Sequence, residues 1–197
     1  MNSKLCWRFF SAGIFLFFVI AISAHAGEPQ DLVKGATARV VQVLKDPKLK
    51  DKKKERVERL REIVDPLFDY DEMAKRALGV HWRRRTPAEQ AEFVKLFHDF
   101  LEKIYSDKID LYEGEKIVVG KETIDQDFAQ VESTVINAKG EQFSVVYKLR
   151  RVDGSWKVYD AVVENISVVN NYRSQFDRVI NSSSYEELVK RLKEKIG

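Results

Sequence analysis

The 197-residue chain carries 34 Lys and Arg against 31 Asp and Glu, a net charge of +3, without the clear basic excess of a dedicated nucleic-acid binder. Its single cysteine, Cys6, precedes an apolar run near the N-terminus. Whatever follows that run is therefore neither a thiol enzyme, nor a disulfide shuttle, nor a cysteine-ligated metal protein.

Lys4 and Arg8 precede the apolar run Phe9 to Ile22, and Ala24-His25-Ala26 closes the segment. This is the pattern of a secretory signal peptide over residues 1–26, with cleavage expected before Gly27. The run is short for a membrane span of about 20 residues. Losing Lys4 and Arg8 leaves residues 27–197 close to charge balance, expected to form one domain with room for a sizeable core.

Helical patterns fill residues 27–112. From Asp31 to Lys45, Leu32, Ala36, Val40, Val43 and Leu44 form a stripe that ends at Asp46-Pro47. A lysine-rich connection follows, with Lys48, Lys50, Lys52, Lys53, Lys54 and Arg56, read as a solvated loop with a docking patch for anionic surfaces as the alternative. A second helix carries Val57, Leu60, Ile63 and Val64 and stops before Pro66. Asp69 to Leu78 is a short helix closed by Gly79. Thr86-Pro87-Ala88-Glu89 is a capping box with proline at the first helical position, so a helix starts there. Its face of Phe93, Phe97, Phe100, Leu101, Ile104 and Tyr105 is the most aromatic surface past the signal segment.

Beyond Leu111 the period drops from 3.6 to 2. Lys116 to Lys121, Phe128 to Ile136, Gln142 to Arg151 and Trp156 to Val163 read as four strands in residues 113–197. The turns Lys139-Gly140 and Asp153-Gly154 predict antiparallel hairpins in sequence order. In the third strand Phe143, Val145, Tyr147 and Leu149 share one apolar face. The last strand is apolar on both faces, with Trp156, Val158, Val162 and Ile166 in alternation with Lys157, Tyr159, Val163 and Ser167. After Val169 the helical period returns at Tyr172, Phe176, Val179 and Ile180, and Ser184 with Glu187 caps a final helix. A sheet covered on both faces and followed by an aromatic helix encloses either a solid core or an apolar space, and periodicity does not choose between them.

Catalytic patterns are sparse. His81 and His98 are the histidines past the signal segment, in no zinc-binding spacing, so no metal site is expected. Asp160 lies mid-strand among apolar residues, where a carboxylate must be paired or have its proton affinity altered. Two readings stand: a structural partner, with Arg173 the candidate, or a general base in an apolar cavity. Trp82 with Arg83, Arg84 and Arg85 is either a solvated connection or a contact for a phosphate headgroup.

Phe68-Asp69-Tyr70-Asp71-Glu72-Met73-Ala74, Leu78-Gly79, Trp82, Thr86-Pro87 with Gln90 and Phe93, Trp156-Lys157-Val158-Tyr159-Asp160, Ser167, and Asn171-Tyr172-Arg173-Ser174-Gln175-Phe176 occur in that order. Together they resemble the MlaC family of periplasmic phospholipid-binding proteins, also called the toluene-tolerance auxiliary family. The resemblance spans essentially everything past the signal segment. Asn165 departs from it, standing where many members have glycine. If that glycine serves an unusual backbone angle, asparagine is among the better replacements.

The resemblance implies an α+β fold, with a twisted antiparallel sheet of about four strands wrapped by helices around an apolar lipid pocket. It implies a non-enzymatic periplasmic carrier that shuttles phospholipid between an outer-membrane lipoprotein–porin complex and an inner-membrane ABC transporter with an MCE-domain subunit, maintaining outer-membrane lipid asymmetry. No cofactor is expected beyond phospholipid as ligand, and no nucleic acid as partner. The expected pocket wall is Phe93, Phe97, Phe100, Leu101, Ile104 and Tyr105 on the helix, Phe143, Val145, Tyr147 and Leu149 on the third strand, and Val158, Val162 and Ile166 after it, closed by Tyr172 and Phe176. Trp82, Arg83 and Arg84 are the expected headgroup contacts. The rival readings are a cavity isomerase or hydrolase using Asp160, and a structural adaptor with a filled core.

Overall fold

The computed structural model describes residues 29–197; the expected signal peptide, its cleavage point and Cys6 lie outside the described residues. Four helices come first: α1 (Pro29–Lys45), α2 (Lys53–Val64), α3 (Tyr70–Leu78) and α4 (Pro87–Lys108). Five strands follow, β1 (Lys116–Asp125), β2 (Phe128–Ile136), β3 (Gln142–Val152), β4 (Ser155–Val163) and β5 (Ile166–Ser167), and the chain closes with α5 (Val168–Ser182) and α6 (Tyr185–Ile196).

The starts of α3, α4, α5 and α6 are fixed by local hydrogen bonds. At α4 the Thr86 hydroxyl accepts from the Glu89 N–H at 3.3 Å while the Glu89 carboxylate accepts from the Thr86 N–H at 2.6 Å, the reciprocal pair that the sequence predicts. Asp69 caps α3 by accepting from the Glu72 N–H, Ser167 caps α5 and Ser184 caps α6. The end of α3 needs a glycine twice over. Gly79 has φ +58°, and a Cβ there would lie 2.7 Å from Nε of Arg173 on α5.

The strands form an open antiparallel sheet in the order β1-β2-β3-β4-β5. Asp153 and Gly154 both have positive φ, the geometry of a two-residue hairpin turn whose twist matches the strands. The short β5, absent from the periodicity, is made by a second such turn at Glu164 (φ 47°) and Asn165 (φ 65°). Asparagine tolerates that angle well. Glu164 does not favour it, but its N–H donates to the Ser144 carbonyl at 3.0 Å and its carboxylate accepts from the Ser144 N–H at 2.5 Å.

One irregularity corrects the reading of β4 as a simple alternation. Val158 pairs with Leu149 and Asp160 with Lys148, which leaves Tyr159 as an additional residue. Residues beyond it change sides: Ala161 and Val163 join the Tyr147 and Val145 face, whereas Asp160 and Val162 join the face of Lys148 and Val146. Val162 therefore does not share a face with Val158.

Two interiors result. The first lies among α3, α4, α5 and α6, where Phe93, Phe97 and Phe176 meet with ring centroids 5.7–6.1 Å apart and Tyr172 packs on Phe97 and Phe100. The second lies between α1 and the sheet, built from Val33, Ala129, Val131, Leu149, Trp156 and Val158. The sheet face around the second interior is only partly filled.

Candidate functional site

Sequence spacing places apolar residues on four elements that meet at the unfilled part of that face. α1 contributes Leu32, Ala36, Val40 and Leu44 of the stripe its period predicts, with Val33 in addition and without Val43; α2 contributes Leu60 and Val64. The end of α4 supplies Ile104 and Tyr105, and the turn Ile109–Leu111 follows. Ile117, Val135, Tyr147 and Val158 form the sheet side. They line a cavity of about 690 Å³ that opens to the surface at Leu111, inside the range of small-molecule sites.

The polar groups on the lining are few: Thr37 and the tyrosine hydroxyls, with Lys108 and Glu115 charged. Burial pushes the Tyr147 phenol above its usual pKa, and it does the same to Tyr105, where the carboxylates of Glu102 and Asp65 add to the effect. Both rings are neutral through the physiological range. The arrangement therefore offers an apolar chamber to an apolar guest, with charge confined to Lys108 and Glu115.

α2, the roof of the chamber, is tied to α4 and to the turn Ile109–Leu111 by ion pairs. Arg61 on α2 pairs with Glu102, Arg56 and Lys53 pair with Asp110, and the Asp65 carboxylate lies 3.2 Å from His98 Nε2. Hydrogen bonding from Lys53, reinforced by Arg56, holds the Asp110 carboxyl below the usual range. Lys53 and Arg56, part of the basic run, thus belong to α2 and its pairs instead of a free connection.

Of the wall expected from sequence, Ile104, Tyr105, Tyr147 and Val158 line this cavity. Phe93, Phe97, Phe100 and Phe176 lie in the helical interior instead, with Leu101 and Tyr172 packed against it, because the aromatic stripe of α4 is met by α5 and α6 before it reaches the sheet. Leu149 and Val145 are buried without lining the cavity, and Phe143 and Ile166 stand exposed on the sheet. Val162 is turned to the opposite face by the Tyr159 irregularity. Trp82 packs on the helical interior, and Arg83 and Arg84 are exposed beside it, in a turn joined to α5 by His81 and Asp177 at 2.8 Å; none of the three lines the cavity.

The stripes of α1 and α2 were the missed part of the wall. Their signal is visible in the sequence, but a stripe reports only that something apolar covers it. Asp160, the candidate base, is buried with both oxygens engaged: Oδ2 accepts from the Ser167 hydroxyl at 2.7 Å and Oδ1 from the Val169 N–H at 3.1 Å, with Lys148 Nζ 3.7 Å away. It holds the start of α5 and faces away from the chamber.

A family model described as MlaC protein matches residues 34–194. The toluene tolerance protein ttg2D of Pseudomonas putida is 28% identical over 159 residues, 79% of this chain and 74% of that protein. The intermembrane phospholipid transport system binding protein MlaC of Haemophilus influenzae is 24% identical over 134 residues, 66% of this chain and 63% of that protein. Among solved structures, a phospholipid-binding protein from Ralstonia solanacearum in complex with a phospholipid superposes with a TM-score of 0.77 at 26% identity, covering 86% of this chain and 97% of that one.

Proposed function

Because the chain belongs to the MlaC family, we propose that it is a periplasmic phospholipid carrier whose acyl-chain site is the cavity between α1, α2, the end of α4 and the sheet. The observation that carries this reading is the chamber itself, about 690 Å³ with a lining apolar on all four walls. A well-packed interior leaves few voids larger than a water molecule. A chamber of this size and polarity fits a guest made of methylenes.

The carrier takes lipid from, and delivers it to, an outer-membrane lipoprotein–porin complex and an inner-membrane ABC transporter with an MCE-domain subunit. It performs no chemistry on the lipid; this is supported by Asp160, which spends both oxygens on the start of α5. The decisive experiment is mass spectrometry of lipid extracted from protein purified natively from a periplasmic extract. One or more phospholipids in stoichiometric amount is the expected result. Protein that carries none and takes none from vesicles would leave a filled-core adaptor as the better account.

A further inference from the structure

The connection between α1 and α2 gathers positive charge at one end of the molecule. Residues 45–56 hold seven Lys and Arg against three Asp and Glu, a net +4, whereas residues 27–197 together stand at +1, so the remainder is net negative. A charge divided in this way turns the basic end toward an anionic surface on approach. The seven are neighbours in space as well as in sequence, because the segment is wound into successive turns. The Leu49 N–H donates to the Asp46 carbonyl at 3.0 Å, that of Lys52 to Leu49 at 3.1 Å and that of Arg56 to Lys52 at 3.0 Å. Each of the first two closes a turn that carries the chain forward by less than about 7 Å. Leu49 is the inward anchor, and Lys48 and Lys50 on either side of it are exposed.

The fold uses only part of this charge. Lys52 pairs with Glu55, and Lys53 and Arg56 pair with Asp110. Among the described residues, Lys45, Lys48, Lys50 and Lys54 form no ion pair. Lys45 suits the C-terminal end of α1. Lys54 does the opposite for α2: it stands beside Lys52 and Lys53 at a helix N-terminus without a side-chain cap, where the macrodipole favours negative charge. Lysines kept where they cost their own helix stability call for an anion outside the chain.

Asp110 joins this tip to the opening of the chamber. Its neighbour Leu111 lines the chamber and is 69% exposed, and Leu44 lines it one residue before Lys45. The opening is therefore bordered by lysines, with an apolar side chain standing out beside them. The partner this suits is a plane of phosphates. Protein partners are gripped through buried aromatic and arginine anchors, and residues 45–54 contain neither. A bilayer asks only for positive charge and an apolar side chain that can enter its interface.

We propose that the α1–α2 tip and Leu111 seat the chamber opening directly on a bilayer that contains anionic phospholipid, and that lipid passes between chamber and bilayer in that contact. The docking stands on the tip itself; the passage of lipid rests on the chamber being the lipid site.

The test is flotation of the protein with vesicles of phosphatidylcholine alone or mixed equally with phosphatidylglycerol. Each lysine near an anionic bilayer supplies about fivefold in affinity, so the wild type should favour the mixed vesicles by about tenfold or more and lose that preference in high salt. K48Q/K50Q/K54Q should lose most of it. K121Q/R178Q/K195Q, which removes the same charge from exposed positions on β1, α5 and α6, should keep it. A polarity-sensitive dye on Leu111→Cys should shift to the blue on mixed vesicles, and the same dye on Arg178→Cys should not. Transfer of a loaded fluorescent phospholipid should be faster into mixed vesicles than into phosphatidylcholine for the wild type, and equal for K48Q/K50Q/K54Q.

Equal flotation with the two vesicles, equal behaviour of the two triple variants, or an unshifted dye at Leu111→Cys on protein that floats would overturn the docking. Binding to soluble polyglutamate as tight as to mixed vesicles would overturn it too, in favour of an acidic protein partner. A wild type that floats as expected with its dye shifted, yet carries no lipid, would uphold the docking and remove the carrier reading instead.

Discussion

Asp160 concentrates the difference between what a residue's neighbours in sequence imply and what its neighbours in space decide. Its oxygens accept from Ser167 and Val169 at the start of α5, and Lys148 is its nearest cation. Asp160→Asn keeps one acceptor oxygen but puts an amide where the other accepted, so it should cost about 1–2 kcal/mol by urea unfolding, in the range of a lost helix cap. Lipid occupancy should not change, and an occupancy that fell with stability intact would tie Asp160 to the chamber after all. That a mid-strand carboxylate must have partners was legible; their identity was not, because the extra residue Tyr159 turns Asp160 to the face of Lys148, where Ser167, Val169 and Lys148 meet it and the expected Arg173 does not. The same distinction separates two apolar positions. Phe97 is fully buried among aromatic rings, so Phe97→Ala should cost about 3–5 kcal/mol with lipid binding reduced only as the fold is lost. Val40 lines the chamber on α1, and Val40→Glu places a carboxylate among acyl chains, where it must be desolvated or protonated. It should empty the chamber, with the melting temperature of the lipid-free protein little altered. Equal lipid content in wild type and Val40→Glu would remove α1 from the wall.

The helical hairpin of α1 and α2 is held differently along its two borders. On the sheet side α1 is buried at Val33 and Ala36, and the Gln30 N–H in its first turn donates to the Glu122 carboxylate at 2.9 Å. On the α4 side the ties are the Arg61–Glu102, Arg56–Asp110 and Lys53–Asp110 pairs. The Lys53–Asp110 pair is exposed and the Arg61–Glu102 pair partly so, and such pairs contribute about 0–1 kcal/mol each and are screened by salt; only the buried Arg56 is held more firmly, so this border is the weaker one. Glu102→Gln combined with Asp110→Asn should speed amide hydrogen exchange in α2 more than in α4. High salt should reproduce part of the effect in the wild type. Equal protection of α2 in both proteins would mean that apolar contacts through Leu60 and Val64 hold the roof alone. The helices themselves were legible from their stripes, caps and prolines, and the β2–β3 and β3–β4 hairpins from their Gly-containing turns. What sequence did not reveal is which stripe meets which. The α4 stripe runs from Phe93 to Tyr105, and its first turns are sealed by Phe176, Tyr185 and Leu188 while only its end reaches the chamber. The ion-pair partners of α2 lie 41 residues onward for Arg61 and Glu102 and 54 for Arg56 and Asp110, and no local period records them.

The two interiors give the molecule a solid half and a hollow half, and the hollow half sets the energetics of carriage. Burying two chains of roughly 14 methylenes each, at about 0.8 kcal/mol per CH₂, amounts to on the order of 20 kcal/mol relative to water. Escape into solvent is then negligible on any experimental timescale, and release requires an acceptor that offers the chains a comparable environment. The sheet supplies a surface on which such a transfer can begin. Val135 lines the chamber, and its cross-strand neighbour Phe143 stands exposed; Val163 and its partner Ile166 continue the same face outward. Leu111 both lines the chamber and is 69% exposed. An acceptor meeting this lip can take the chains without passing them through water, and the transfer is then close to balanced. Any net direction comes from the acceptor's affinity or from nucleotide hydrolysis in a partner. A fluorescent phospholipid loaded into the protein should therefore stay bound for hours after dilution into buffer and leave within minutes when an apolar acceptor is added. Leu111→Ser combined with Ile166→Ser should slow the acceptor-dependent step while leaving the lipid bound in buffer. Rapid loss on dilution alone would contradict an enclosed chamber and favour a shallow surface site.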